Sequence, residues 1–377
     1  MLVRARDGRT ALAAGGLAAA LAGREVVARL RQADLRGQVA LITGASRGLG
    51  FLLAREFGRE GCRLAICARD ADGLARAREA LEASGAEVLA VPCDVADQAQ
   101  VEHLVAETTR RLGGVDVLVN NAGIIQVGPV QRMTRQDFED ALAAMFWGVV
   151  YPTLAVLPQM RQRRRGRIVN ITSIGGKVNV PHLVPYGCAK FAAVGFSEGL
   201  RAELARDGIQ VTTIAPGLMR TGSHLNAWFK GGDAREFALF APLASLPLVS
   251  MDAERAARQI VRAAKRGEAE RVLSQPATLL ARFHGLFPGT TADLLGLVGR
   301  ALPAAEPAAP GQPAAPADQR GDERGMDVQA RLRSGLLEAI TAWGRSAARR
   351  FNQYPGLPPR AGHQTAGART GEAVRAA

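Results

Sequence analysis

Tyr186 and Lys190 stand four residues apart in a chain with only three tyrosines and four lysines, and Ser173 precedes them by thirteen positions. At i and i+4 on a helix a phenol and an ammonium share one face. An unperturbed tyrosine titrates near ~10, and a neighbouring cation favours the phenolate. That moves the group toward the pH at which a positioned acid or base is efficient. The pair therefore reads as a proton-transfer site. The competing reading is a surface helix that carries one of each by chance.

A second group of residues suits phosphate. TGASRGLG, from Thr43 to Gly50, follows an apolar run and opens a helical one. Gly44, Gly48 and Gly50 permit a tight turn and close approach of backbone amides to a pyrophosphate at the helix N-terminus. The next apolar run closes in ICARD, with Arg69 where an acid would select the unphosphorylated nicotinamide cofactor, and Arg47 lies inside the glycine turn. Two guanidinium groups can fork onto a 2′-phosphate, so the expected cofactor is NADP(H). Asp70, one position late, is expected to cap the following helix. Asp94, in CDV, either accepts from the adenine amine or caps a helix. In NNAG, Asn120 to Gly123, the asparagines are expected to bridge backbones and Gly123 to leave room for the cofactor ribose.

These residues need a scaffold, and the chain supplies alternating elements. QVALIT, CRLAICA, EVLAVPC, VDVLVN, RIVNITS and IQVTTIAPG are short runs rich in Val, Ile and Leu, separated by helical stretches. The long stretches run from Thr134 to Arg161 and from Pro185 to Arg206. That alternation predicts a parallel sheet covered on both faces, an α/β doubly wound (Rossmann) fold. The expected organisation is a partly apolar N-terminal extension over 1–36 and a single catalytic domain over 37–274. An amphipathic helical appendage over 275–303 follows, split at Pro288, and then a Pro/Ala-rich, mostly disordered tail over 304–377 with one helix near 328–350. An aromatic insertion over 218–250 is expected to close over a ligand.

Taken in order, TGASRGLG, NNAG, Ser173, YGCAK and PGLMRT make the chain resemble the short-chain dehydrogenase/reductase family over about residues 37–274. The resemblance implies hydride transfer between a nicotinamide and a carbonyl or alcohol. It gives Tyr186 the proton, Ser173 the polarising of the substrate oxygen, and Lys190 the holding of the ribose and the lowering of the tyrosine pKa. It implies cofactor contacts at Gly44, Ser46, Arg47, Gly48, Leu49, Gly50, Arg69, Asp94, Val95, Asn121, Ala122, Gly123, Tyr186, Lys190, Pro216, Gly217 and Thr221. One position departs. In ALAAMFWGVV, Met145 stands where the family carries an asparagine thought to hold a water linking the lysine to solvent. A thioether accepts only weakly, so the relay is rerouted or slowed, or Met145 is simply core.

Composition narrows the partners. The net charge is +13, but forty-four of the 48 basic residues are arginine in a chain rich in Ala and Gly. That reads as coding bias rather than a basic patch, and no nucleic acid is expected. The four cysteines, Cys62, Cys67, Cys93 and Cys188, form no CxxC pair; reduced thiols in a cytoplasmic protein are expected, with no metal site. No run reaches the ~18 to 20 apolar residues of a spanning helix. Residues 1–36 are read with equal weight as a membrane-surface anchor or a frayed extension. The expected partners are a small, apolar carbonyl or alcohol substrate and further copies of the chain. The alternative is a catalytically weak or inactive relative that binds a membrane or a partner.

Overall fold

The computed structural model describes residues 23, 32–230, 234–247, 249–303, 322–332 and 335–353. The expectations for most of 1–31, for 304–321 and for the tail beyond 353 fall outside the described residues.

Seven strands form one parallel sheet: β1 Val39–Thr43, β2 Arg63–Ala68, β3 Val88–Pro92, β4 Val117–Asn120, β5 Gly166–Ile171, β6 Ile209–Pro216 and β7 Glu270–Leu273. Their order is β3-β2-β1-β4-β5-β6-β7, with register such as Leu41 opposite Ala65 and Leu118. The apolar runs became strands because both faces of the sheet are covered; β1 and β4 are buried at every position. The helices are α1 Gly48–Arg59, α2 Ala71–Glu82, α3 Gln98–Leu112, α4 Arg135–Leu142, α5 Gly148–Gln162, α6 Val184–Leu204, α7 Ala234–Ser245 and α8 Ala253–Arg266. One core holds Leu52 and Phe57 of α1 with Ile260 of α8; the other holds Leu104 of α3 with Val156 of α5. Asp70 caps α2 by accepting from Gly73 N–H, as expected, and Asp97 caps α3.

The order reverses between β1 and β4, so the carboxyl ends of those strands open a crevice. The glycine turn, the Asn120–Gly123 segment, Ser173 and Pro216 all lie at or just beyond the carboxyl ends of strands that border or continue it.

Two expectations are corrected. The stretch from Thr134 to Arg161 is one helical run, Arg135–Gln162, long and apolar enough to cross a membrane, with half of its most apolar window buried inside the fold. It is not one α-helix, because Ala143–Trp147 widens into a π turn. In the tail, the described residues of 322–353 carry three helices where one was expected near 328–350. After α9 Gln275–Leu286 and α10 Pro288–Ala301, which meet at the expected Pro288, come α11 Gly325–Leu332, α12 Gly335–Ile340 and α13 Ala342–Arg350. Glu323–Arg324 pairs with Trp228–Phe229, which pairs with Gln126–Val127. The physical reason is burial: Val328 and Phe351 are removed from water, and a Pro/Ala-rich stretch upstream does not prevent a later apolar segment from docking.

Candidate active site

The glycine turn is fixed by β4. Gly44 and Gly48 have φ of 64° and 57°, the left-handed region in which a side chain is strained. A side-chain carbon on Gly44 would lie 2.8 Å from Ala122 Cα, and one on Gly50 would lie 2.2 Å from the Gly44 carbonyl oxygen. These glycines therefore serve packing of the turn as much as access for phosphate. Thr43 Oγ1 accepts from Asn121 N–H at 2.9 Å and from Ala122 N–H at 3.1 Å, while Asn121 Nδ2 donates to the Thr43 carbonyl at 2.9 Å. Asn121 bridges backbones as expected. Asn120 instead turns under the sheet, where Nδ2 donates to Asn170 Oδ1 at 2.8 Å and to Thr153 Oγ1 at 3.1 Å.

Arg47 and Arg69 do not both stand open. Arg47 donates to Asn226 Oδ1 at 3.2 Å and also pairs with Asp70; burial, its largest influence, pulls its pKa below the ordinary arginine value. Arg69 lies 3.7 Å from Asp94 and is 65% exposed. Asp94 also accepts from Ala96 N–H at 3.0 Å, a turn bond ahead of α3; the cap of that helix is Asp97, not Asp94. Val95 is buried against Gly148, where a side-chain carbon would come within 2.7 Å of its Cγ2.

Ser173, Tyr186 and Lys190 are brought together. Ser173 accepts from Gly175 N–H at 3.0 Å, and a side-chain carbon on Gly175 would lie 3.4 Å from Ser173 Oγ and 3.1 Å from Tyr186 Cε1. Lys190 Nζ lies 5.9 Å from the centroid of the Tyr186 ring and donates to the Ile171 carbonyl at 2.9 Å. Burial pushes the phenol above its ordinary pKa, opposed by the neighbouring Ser173 hydroxyl. The lowering expected from Lys190 is thus not the direction found, because removal from water outweighs a cation beyond hydrogen-bond reach. Burial also draws the Lys190 ammonium down to about 8.

Met145 is fully buried in the π turn, packed with Ala141, Ala189 and Tyr186. A side-chain carbon on Gly123 would lie 3.4 Å from Met145 Sδ and 3.8 Å from Lys190 Nζ. Met145 is core and neighbour to the site at once. Thr221 is buried after β6, its hydroxyl accepting from Ser223 N–H at 3.2 Å, and Gly217 N–H donates to Leu273 carbonyl at 3.1 Å.

Within the aromatic insertion, two of the aromatic rings are core rather than exposed. Phe229 and Phe237 are fully buried and form a satellite core with Val127 and Val328. Leu239 and Leu243 of α7 are the exposed apolar residues there.

The donors present fit a dinucleotide. α1 starts without a side-chain cap, and the first amides of a helix lack intrahelical partners and favour an anion. Two guanidinium groups flank the β2 end. Sequence reasoning missed Thr43 and Asn226. Thr43 was within the quoted motif, but nothing local showed that its hydroxyl ties β1 to β4.

The sequence profile of the short chain dehydrogenase family matches residues 38–228. A Streptomyces coelicolor protein named "Putative ketoacyl reductase" is 42% identical over 186 residues, 49% of this chain and 71% of that protein. Among solved structures, a short-chain dehydrogenase from Streptomyces avermitilis aligns with TM-score 0.60 at 30% identity, over 70% of this chain and 98% of the other. A variant of actinorhodin polyketide ketoreductase solved with NADPH aligns with TM-score 0.58 at 32% identity, over 64% and 97%.

Proposed function

The chain belongs to the short-chain dehydrogenase family, and from that premise we propose an NADP(H)-dependent oxidoreductase acting on a carbonyl or alcohol of an apolar substrate, with Tyr186 as acid and base. The observation that carries the reading is the convergence of Ser173, Tyr186 and Lys190: a side-chain carbon on Gly175 would lie 3.1 Å from Tyr186 Cε1 and 3.4 Å from Ser173 Oγ, and Lys190 Nζ lies 5.9 Å from the Tyr186 ring centroid. Bound NADPH would supply hydride to the carbonyl carbon. The chain's own residues handle the oxygen: Ser173 holds it and Tyr186 Oη gives it a proton. Lys190, its Nζ 5.9 Å from the Tyr186 ring centroid, is a cation beside the phenolate left behind, and its charge favours that state. The raised phenol pKa suits a group that must hold its proton until the oxygen becomes basic.

The Gly48 amide is held by the Phe351 carbonyl, so the Leu49 and Gly50 amides of α1 would take the pyrophosphate, with Arg47 and Arg69 toward the 2′-phosphate and Asn121–Gly123 along the ribose. The NADPH of the polyketide ketoreductase structure supports the phosphorylated cofactor, and the ketoacyl reductase relative supports a keto-acyl substrate. Leu239 and Leu243 offer apolar surface at the insertion. The membrane-surface contact and the homo-oligomer remain proposals resting on the sequence alone.

The test is NADPH consumption over a panel of ketones, aldehydes and β-keto thioesters, with gluconate oxidation as the polar counter-case. Turnover confined to polar polyols would overturn the substrate class.

Met145 favours one second reading. It fills the position of the expected relay asparagine and leaves Lys190 bonded to a backbone carbonyl, which suits a slow enzyme or a binding protein. Turnover of any carbonyl by wild type decides against the latter.

A further inference from the structure

The C-terminal segment reaches the cofactor turn from outside the part of the chain that matches the family profile, which ends at residue 228. Two glycines let α13 seat closely. A side-chain carbon on Gly222 would meet Ala348 Cβ at 2.5 Å, and one on Gly344 would meet Ser245 Oγ at 2.4 Å. Phe351 is then buried in the same core as α1 and α8. Phe351 and the two residues after it reach three segments of the site. The Phe351 carbonyl accepts from Gly48 N–H at 2.8 Å. Asn352 Nδ2 donates to the Ser46 carbonyl at 2.6 Å and to the Gly73 carbonyl at 3.1 Å. Gln353, its backbone held by Ala348 at 2.9 Å, accepts at Oε1 from Asn226 Nδ2 at 2.7 Å.

Asn226 is the link to chemistry. A carboxamide presents an acceptor on one side and a donor on the other. With Nδ2 committed to Gln353, Oδ1 faces Arg47 and accepts from its guanidinium at 3.2 Å. The reversed amide would turn an NH₂ toward a cation. Asp70 holds the same guanidinium from another side. We infer that Gln353 is a positioning residue for the cofactor site, acting through Asn226 to fix the Arg47 guanidinium for a 2′-phosphate. The inference rests on the NADP(H) reading above. It adds a determinant of cofactor choice that the family-matched segment does not contain, and it makes the described end of the chain part of the site.

The test uses the full chain and calorimetric titration of NADPH and NADH into four proteins: wild type, Gln353→Met, Arg47→Ala and the double variant. Methionine keeps the length of glutamine and removes the acceptor. One hydrogen bond of this kind is worth roughly threefold to tenfold in affinity. Gln353→Met is expected to weaken NADPH by about that factor and NADH by less than twofold, and to add nothing in the Arg47→Ala background. Gln353→Ala, with its melting temperature measured alongside, repeats the comparison should methionine crowd Gly48. Equal loss for both cofactors, an undiminished loss in the Arg47→Ala background, or tighter NADPH binding each overturns the inference, the last by showing that the tail obstructs the site. Wild type binding the two cofactors equally overturns the NADP(H) reading itself and the inference with it.

Discussion

The Lys190 ammonium donates to the Ile171 carbonyl at 2.9 Å, at 5% exposure, with its pKa drawn down to about 8 by burial. The folded value lies below the ordinary 10.5. Between about 8 and 10.5 the folded chain therefore binds fewer protons than the unfolded chain, and this group's contribution to stability rises with pH through that window. Activity moves the other way, because the cation beside Tyr186 is lost above about 8. The pH profile of kcat/KM for carbonyl reduction should bend down near pH 8. Lys190→Arg, which stays charged, should lose that bend even if slower. A profile flat to pH 10 in wild type contradicts the role.

His224 gives an acid-side prediction. It is fully buried beneath α13, where a side-chain carbon on Gly344 would lie 2.8 Å from its Cε1, and burial draws its pKa down to about 4. Here too the folded value is the lower one, so protonation favours the unfolded chain and stability is lost as pH falls from about 6.5 to about 4. The loss is on the order of 3 kcal/mol. Urea denaturation at pH 7 and pH 4 should show it in wild type and show much less of it in His224→Leu.

Phe351 is 2% exposed in the core shared by α1 and α8. Phe351→Ala should destabilise the chain by about 3 to 5 kcal/mol, with a loss of NADPH affinity as Gln353 comes away from Asn226. Unchanged denaturation midpoints would show that the segment is not part of the folded domain.

Much of this was legible in the sequence, for physical reasons. The strands of the sheet are covered on both faces and so read as unbroken apolar runs, as VALIT and VLVN do. Tyr186 and Lys190 declared themselves by helical spacing. What stayed hidden depends on contacts between distant residues. Nothing near Gly222 announces Ala348, and nothing near Asn226 announces Gln353. The aromatic insertion read as a lid because its core partner, Val328, lies far along the chain beyond a Pro/Ala-rich stretch. The direction of the Tyr186 pKa also escaped, because spacing places a cation but does not weigh it against burial. The π turn at Met145 replaces a helical pattern without altering its apolar content.

Met145 should make the enzyme slow without making it inert. A water held by main-chain carbonyls can replace one held by an asparagine. Met145→Asn is therefore expected to stay within roughly tenfold of wild type, about 1.4 kcal/mol. Activity appearing only in Met145→Asn would favour the binding-protein reading instead.

The central claim is that Tyr186 supplies the proton. The direct measurement is single-turnover reduction of a β-keto thioester by NADPH, wild type against Tyr186→Phe, with NADPH affinity measured on both. Positioned acid–base catalysis contributes on the order of 10² to 10⁴ in rate. Tyr186→Phe should lose about that much while binding NADPH within twofold of wild type. A Tyr186→Phe enzyme that turns over at the wild-type rate would contradict the account.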